Sequence, residues 1–177
     1  MGVENLNYRE IGSFSVNGRK EQTILSVIFL LIAGIGSGLL SLSKVYDHST
    51  IPVFVIILSV IGFIVVHELV HLIFISIFSK GKIKVRIKIS TIAVGSEAYF
   101  NKIQYVIIAL APVIVLGLIN LLCLLMLDDK FIYAILLILN FATASGDYIL
   151  VYNALKQSEN SYFVDTAEET KVYMQGY

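Results

Sequence analysis

The sequence is poor in charge, cysteine and proline. Charged residues make up 15% of the 177 residues, and the 13 basic and 13 acidic side chains cancel. This balance indicates that nucleic acid is not a partner. The single cysteine, Cys123, cannot form an intrachain disulfide, and because it lies in an apolar run we expect it to fill space in the core. Of the two prolines, Pro52 is expected to start a helix and Pro112 to kink one, without a chemical role for Pro112.

Apolar residues are abundant instead. They account for 57% of the chain, and the mean hydropathy is +0.83. A membrane-spanning helix needs about 20 apolar residues. Four runs are long enough, at residues 23–43, 51–79, 103–127 and 131–155. The first exceeds the core of a signal peptide and is therefore interpreted as a retained span. The sequence predicts one domain, an all-α membrane protein with about four transmembrane helices.

Basic residues are unequally distributed among the segments outside these runs. Three precede the first run, six lie between the second and third, and two follow the fourth, which makes eleven of the thirteen. Because basic residues favour the cytosolic side, we predict a multi-pass protein of the cell membrane with both termini in the cytosol. The predicted parts are a cytosolic N-terminal segment at 1–22, a four-span domain at 23–155 and a cytosolic tail at 156–177.

The segment between the second and third runs has a strand pattern. In 82-KIKVRIKIS-90 basic and apolar residues alternate with period two, and 91–100 could return as the partner strand, with Gly95 and Ser96 near a turn or bulge. We predict a β-hairpin at 82–100 on the cytosolic side. One interpretation is a ribbon that lies on the membrane surface. The other is an exposed strand edge that holds an extended peptide substrate by main-chain hydrogen bonds.

The motif 67-HELVH-71 lies within the second apolar run. A helix turns by about 100° per residue, so His67 and His71 lie on one face and could bind one metal ion, with Glu68 beside them. This spacing is typical of zinc hydrolases, in which the glutamate is the general base. The alternative is a structural histidine pair with a buried, protonated glutamate. Because the last three runs contain no lysine or arginine, a divalent cation is the better counter-charge.

A catalytic zinc needs a third protein ligand and one open position. His48 is predicted to lie on the opposite side of the membrane, and Glu97 in a water-exposed segment, which leaves Asp147. Asp147 and His71 both lie about eight residues, or about 12 Å, from the predicted cytosolic ends of their helices. A hydrogen bond between helices is the alternative role of Asp147. Asn140, two turns earlier on the same face, could orient a substrate carbonyl or equally bond another helix.

These motifs carry a resemblance to a known family. HELVH in a membrane helix, a β-ribbon, the ALAP element at 109–112 and the SGD element at 145–147 make residues 51–155 similar to a family of small bacterial membrane zincins. That family is distantly similar to the site-2 class of intramembrane zinc metalloproteases. In that class an aspartate preceded by an asparagine supplies the third zinc ligand. The resemblance therefore implies a ligand role for Asp147, a substrate-binding role for Asn140, and hydrolysis of peptide bonds in or beside the membrane.

The resulting prediction is a zinc-dependent membrane peptidase. Zn²⁺ would be bound by His67, His71 and Asp147, and Glu68 would be the general base on the attacking water. The expected partners are the lipid bilayer and a membrane protein or peptide substrate, and no oligomeric state is predicted. The alternative from another class is a non-catalytic zinc-binding membrane protein, such as an immunity, interaction or transport component. Glu68 distinguishes the two, because a structural zinc site does not need a base.

Overall fold

The computed structural model describes residues 8–43, 51–79, 83–88, 91–166 and 168–176, with the backbone alone described for 83–88 and 91–94. His48 and the first and last residues of the predicted strand 82–90 lie outside the described residues. The helices are α1 Arg19–Ser43, α2 Val53–Ser79, α3 Lys102–Met126, α4 Lys130–Thr143 and α5 Ser145–Leu155. The strands are β1 Tyr8–Phe14, β2 Ile83–Lys88, β3 Thr91–Ser96, β4 Phe100–Asn101, β5 Ser161–Asp165 and β6 Thr170–Gln175.

Four helical stretches are long and apolar enough to cross a membrane. They are α1, α2, α3, and α4 taken together with α5. This confirms the predicted mostly helical membrane protein with four candidate spans. The fourth stretch is interrupted at Ala144, where α4 ends at Thr143 and α5 begins at Ser145. The sequence did not predict this break. The Thr143 hydroxyl donates to the Leu139 carbonyl one turn back, a bond that often bends helices.

Helix α3 is the centre of the helical bundle. It contacts α2, α4 and α5, while α1 packs on α4 and α5. None of the α1 side chains is buried, as expected for a helix whose apolar surface faces lipid. Its close contact with α4 depends on Gly36, where a Cβ would come within 2.7 Å of Ile138. This arrangement places α2, which carries His67, Glu68 and His71, and α5, which carries Asp147, on the same central helix.

The predicted hairpin between the second and third spans is confirmed. Strands β2 and β3 pair antiparallel, from Ile83 with Ser96 to Lys88 with Thr91. Gly95 pairs regularly with Lys84, so no bulge occurs there, and the strand ends at the next residue. Both strands contact α2, but β3 does so more extensively and also contacts β5, which makes β2 the outer strand. The side of the membrane on which the hairpin lies stays a prediction.

A second sheet joins the two ends of the chain, and the sequence did not predict it. Its four strands lie in the order β1–β6–β5–β4, and all three pairings are antiparallel. Phe163 of β5 is fully buried between Phe100 and Val172, its partners on the neighbouring strands. The ring of Phe163 stacks on Tyr105 of α3 at 4.9 Å between centroids. We refer to β1, β4, β5 and β6 as the terminal sheet, which packs on the ends of α2, α3 and α5.

Two polar contacts fix the start of α3 against this sheet. Asn101 and Gln104 form a reciprocal capping box that satisfies backbone amides at the start of the helix. Lys102 is buried, and its ammonium group donates to Glu159 at 2.8 Å and to the last carbonyl of α5, Leu155, at 3.3 Å. The starting end of α3 and the final end of α5 are therefore held together.

Candidate metal centre

Helix α2 places two imidazoles side by side. His67 and His71 lie one turn apart, with ring centroids 5.1 Å from each other and planes inclined by 74°. Only 6% of His67 is exposed, although its neighbours on the same helix, Val66 and Leu69, are among the exposed apolar residues. The helical spacing alone produces this arrangement, because positions i and i+4 share one face. The shared face points toward α3 and α5.

The carboxylate of Asp147 lies between the two imidazoles. Its Oδ2 is 3.3 Å from His67 Nε2, and its Oδ1 is 3.4 Å from His71 Nε2. One ligand atom from each of the three residues can be chosen so that all lie within 4.8 Å of one another. Asp147 reaches this position from the first turn of α5, directly after the break at Ala144.

These distances fit the coordination of zinc. Bonds from zinc to histidine nitrogen and to carboxylate oxygen are about 2.0–2.2 Å long, so tetrahedral ligand atoms are separated by about 3.3–3.5 Å. The two nitrogen–oxygen separations of 3.3 and 3.4 Å, one to each oxygen of the Asp147 carboxylate, are close to that spacing. Two imidazoles and one carboxylate are also the donor set of catalytic zinc sites that keep an open position. The residues present therefore fit a zinc ion.

A hydrogen bond on the far side of the His71 ring supports this interpretation. His71 Nδ1 lies 3.0 Å from the backbone oxygen of Ile108 in α3. A carbonyl oxygen can only accept, so Nδ1 carries the hydrogen. In the neutral ring Nε2 is then a bare acceptor that faces the acceptor Oδ1 of Asp147. Such a pair needs a cation or an additional proton between its atoms, and a metal ion meets that need.

His67 lacks the equivalent support. Its Nδ1 is buried and has no hydrogen-bond partner among the described residues. Metal-binding histidines usually donate their second nitrogen to a carboxylate, a carbonyl or a water molecule. Of the two imidazoles, His71 is thus the one whose orientation and tautomer are determined by a protein group.

The three ligand candidates line one cavity together with Glu68. Its volume is about 300 Å³. The helices contribute His67, Glu68, His71 and Asp147, along with apolar side chains of α2, α3 and α5. The remaining walls come from residues 15–17 and from four residues at or near the facing ends of β5 and β6, namely Asp165, Glu168, Glu169 and Thr170. Glu68 therefore faces the same space as the ligand atoms, as a base that acts on a substrate there must do.

A comparison with known families agrees with this geometry. A family model described as "Putative zincin peptidase" matches residues 60–163, more than half of the chain. The chain belongs to this family. The matched residues contain His67, His71 and Asp147, and membership supports a zinc metallopeptidase. No curated protein and no solved structure matches the chain.

Asn140 of this zincin-family protein lies at a helix interface. It is fully buried, and its Nδ2 donates to the backbone oxygen of Val113 in α3 at 2.8 Å. Gly117 makes room for it, since a Cβ there would come within 3.0 Å of the Asn140 nitrogen. Asn140 is not among the described residues that line the cavity. The observed contact is the interhelical hydrogen bond that was the alternative role, and the substrate-binding role stays a prediction.

The cavity of this zincin-family protein also contains residues that its sequence did not single out. Tyr105 of α3 and Thr170 of β6 both line the cavity, and their hydroxyls lie 2.7 Å apart in a buried hydrogen bond. Asn17 Nδ2 donates to the Glu168 backbone oxygen at 2.8 Å, which joins the two terminal segments beside the site. The aromatic and β-branched residues within 161-SYFVD-165 were the available signal for strand structure in the tail.

Proposed function

We propose that this protein is a zinc-dependent membrane-embedded peptidase that hydrolyses peptide bonds in or beside the membrane. The convergence of His67, His71 and Asp147 with Glu68 in one cavity carries the proposal. Their helices belong to the four stretches that are apolar enough to cross a membrane. An HExxH motif on one membrane helix and an aspartate ligand on a later one also support a distant relationship to site-2-type intramembrane metalloproteases.

The three ligand residues would hold the zinc ion. When bound, the ion supplies Lewis-acid activation of water and polarises the scissile carbonyl. Asp147 contributes the one negative charge of the ligand set, while the hydrogen bond of His71 to the Ile108 carbonyl keeps its Nε2 available as a donor atom. The fold thus orients the Asp147 carboxylate and the His71 imidazole toward each other.

Glu68 is proposed as the general base and acid. Its carboxylate takes a proton from the attacking water and delivers it to the amine of the leaving fragment. A structural zinc site has no use for such a group, whereas Glu68 lines the same cavity as the ligands. Because Glu68 follows His67 directly in α2, the base lies beside the residues that would bind zinc.

Hydrolysis within a membrane requires access for water and for an extended peptide. The cavity is bounded partly by polar residues of the terminal segments, among them Asn17, Asp165 and Thr170, which supports a route for water into the site. Peptide bonds in a helix are engaged in hydrogen bonds, so a substrate has to be extended near the cut. The outer strand β2 of the hairpin provides an edge suitable for main-chain pairing.

The Glu68→Gln variant tests the proposal. This change preserves size and removes the base, so zinc content is expected to stay at the wild-type level while turnover falls by about 10²–10⁴. Turnover is measured by co-expression with a panel of single-span membrane proteins, and zinc by elemental analysis. Glu21→Gln, on α1 and away from the cavity, is the matched control and retains activity. If zinc-loaded wild type cleaves no substrate of a broad panel, the non-catalytic zinc-binding alternative replaces the proposal. If Glu68→Gln cleaves as wild type does, Glu68 is not the general base.

A further inference from the structure

The acceptor that holds His71 is a backbone carbonyl inside a regular helix. In an α-helix the carbonyl of residue i normally accepts from the N–H of residue i+4. For Ile108 that residue is Pro112, which lies inside α3 and has no N–H. The Ile108 oxygen therefore lacks its helical donor, and His71 Nδ1 lies 3.0 Å from it.

The surroundings of the Ile108 oxygen favour His71 as its donor in place of a backbone N–H. Ile108 and Pro112 are both buried, so water is a poor substitute for the missing donor. A proline ring within a helix also crowds the carbonyl four residues earlier and turns it away from the helix axis. A buried carbonyl without its helical hydrogen bond is thus presented at the face of α3 that packs on α2.

We propose that Pro112 is a positioning residue for the metal centre. By removing the helical donor to Ile108, it provides the acceptor that keeps hydrogen on His71 Nδ1 and directs Nε2 toward Asp147. The inference rests on the zinc site of the proposed function. It assigns a chemical consequence to a proline that was expected only to kink a span, and it applies to one histidine, because Nδ1 of His67 has no partner among the described residues.

Pro112→Ala is the direct test. Alanine restores an N–H at position 112, which competes with His71 for the Ile108 oxygen. Removal of a group that orients a metal ligand typically weakens metal binding by about 10–100-fold, and we expect a loss of zinc affinity in that range. Affinity is measured by competition with a chelator in detergent. Because alanine favours a helix interior far more than proline does, the thermal stability of the zinc-free variant should not fall.

Two further variants distinguish the effect of the unpaired Ile108 carbonyl from other effects of a proline in the chain. Pro52→Ala removes the other proline, at the start of α2, and should leave zinc affinity unchanged. The double variant Pro112→Ala with Val113→Pro keeps one proline within α3 but frees the carbonyl of Ala109 instead. It should bind zinc as weakly as Pro112→Ala does. Recovery of the wild-type affinity in the double variant would assign the effect to the kink and overturn the proposal.

A measurement on the zinc-free protein does not depend on activity or on zinc binding. Histidine ¹⁵N NMR at alkaline pH, where the imidazoles are neutral, should show the Nδ1–H tautomer for His71 of the wild type. The signal is assigned by its loss in His71→Gln. Pro112→Ala should shift this population toward the Nε2–H tautomer. A wild-type His71 in the Nε2–H form overturns the proposal by itself.

The failures of the two proposals are distinguishable. If wild type binds zinc and Pro112→Ala binds it equally tightly, with the same His71 tautomer, the role of Pro112 is wrong and the zinc site stands. If wild type binds no zinc, the proposed function is wrong. The tautomer comparison between wild type and Pro112→Ala then decides whether the proline still orients His71.

Discussion

Asp147 differs from the two histidines in the kind of contribution it would make to the proposed metal centre. It is the one anionic member of the set, and both imidazoles face its oxygens at 3.3 and 3.4 Å. Two neutral ligands and one anion leave a divalent ion with a net positive charge, which is what Lewis-acid catalysis requires. Loss of an imidazole removes a donor atom, while loss of the carboxylate charge leaves the geometry nearly intact and weakens the electrostatic attraction.

The variants His67→Ala and Asp147→Asn should therefore behave differently. Purified wild type is expected to carry about one zinc ion per chain, and His67→Ala should lose most of it. Asp147→Asn should bind zinc more weakly and recover part of its turnover when zinc is added, whereas Glu68→Gln should not respond to zinc. Zinc content and zinc-dependent turnover are the measurements, and Asp128→Asn, in the connection before α4, is the control. Full zinc content in the His67→Ala, His71→Ala double variant would contradict the metal centre.

Among the elements, the interrupted fourth span has the clearest effect on the site. Its break at Ala144 starts a new helix at Ser145, and Asp147 lies in the first turn of that helix. Backbone N–H groups in the first turn of a helix have no helical acceptor and favour a negative charge. The interruption therefore places Asp147 at the start of a helix, where a negative charge is favoured.

The hairpin β2–β3 provides a second test at this scale. Ile87 pairs with Ile92, and proline at position 87 would remove one strand amide and distort the outer edge. If this edge binds an extended substrate, Ile87→Pro lowers turnover while zinc content remains at the wild-type level. Ile87→Val keeps the amide and the β-branched side chain and serves as the control. Unchanged turnover in Ile87→Pro would favour the alternative of a ribbon that contacts the membrane surface.

The terminal sheet depends on Phe163 for its contact with the helices. This side chain is fully buried, in contact with the Tyr105 ring and the strands on either side. Truncation of a buried phenylalanine to alanine costs about 3–5 kcal/mol, so Phe163→Ala should lower the free energy of unfolding by that amount. Thermal or denaturant unfolding in detergent measures the change. Phe54→Ala, at an exposed position of α2, should have little effect, and equal losses in both variants would contradict the packing described.

For the whole molecule, the pairing of β1 with β6 relates the two ends of the chain. Tyr8 is the strand partner of Gln175, so the first and last strands lie at the same end of the helical bundle. A chain with an even number of spans begins and ends on the same side, and the described residues contain four candidate spans. The distribution of basic residues predicts that this shared end is cytosolic. The cavity of the metal centre is bounded by the same terminal segments, so it would open toward the cytosol.

Reporter fusions test this orientation. Fusions after residue 48 or 129 should report the outer side, and fusions after residue 90 or at the C terminus the cytosol, because most basic residues flank the latter positions. Alkaline phosphatase and a cytosolic fluorescent reporter provide opposite signals at each position. A cytosolic signal from the connection near residue 129 would contradict four spans and separate Asp147 from His71 in depth.

The sequence by itself determined the membrane class, the four candidate spans, the hairpin and the helical face shared by His67 and His71. Each of these depends on composition or on the spacing of residues close in the chain, which local periodicity records. Asp147 could be predicted as the third ligand because few ionisable residues occur in the apolar runs. Only the tertiary structure decided the partner of Asn140, the break at Ala144 and the terminal sheet. The sheet pairs residue 8 with residue 175, and a contact across that distance leaves no periodic signal in either segment alone. The hydrogen bond from His71 to the Ile108 carbonyl also required the tertiary structure. Pro112 indicates from the sequence which carbonyl lacks its helical donor. Only the packing of α2 on α3 shows which group donates to it instead.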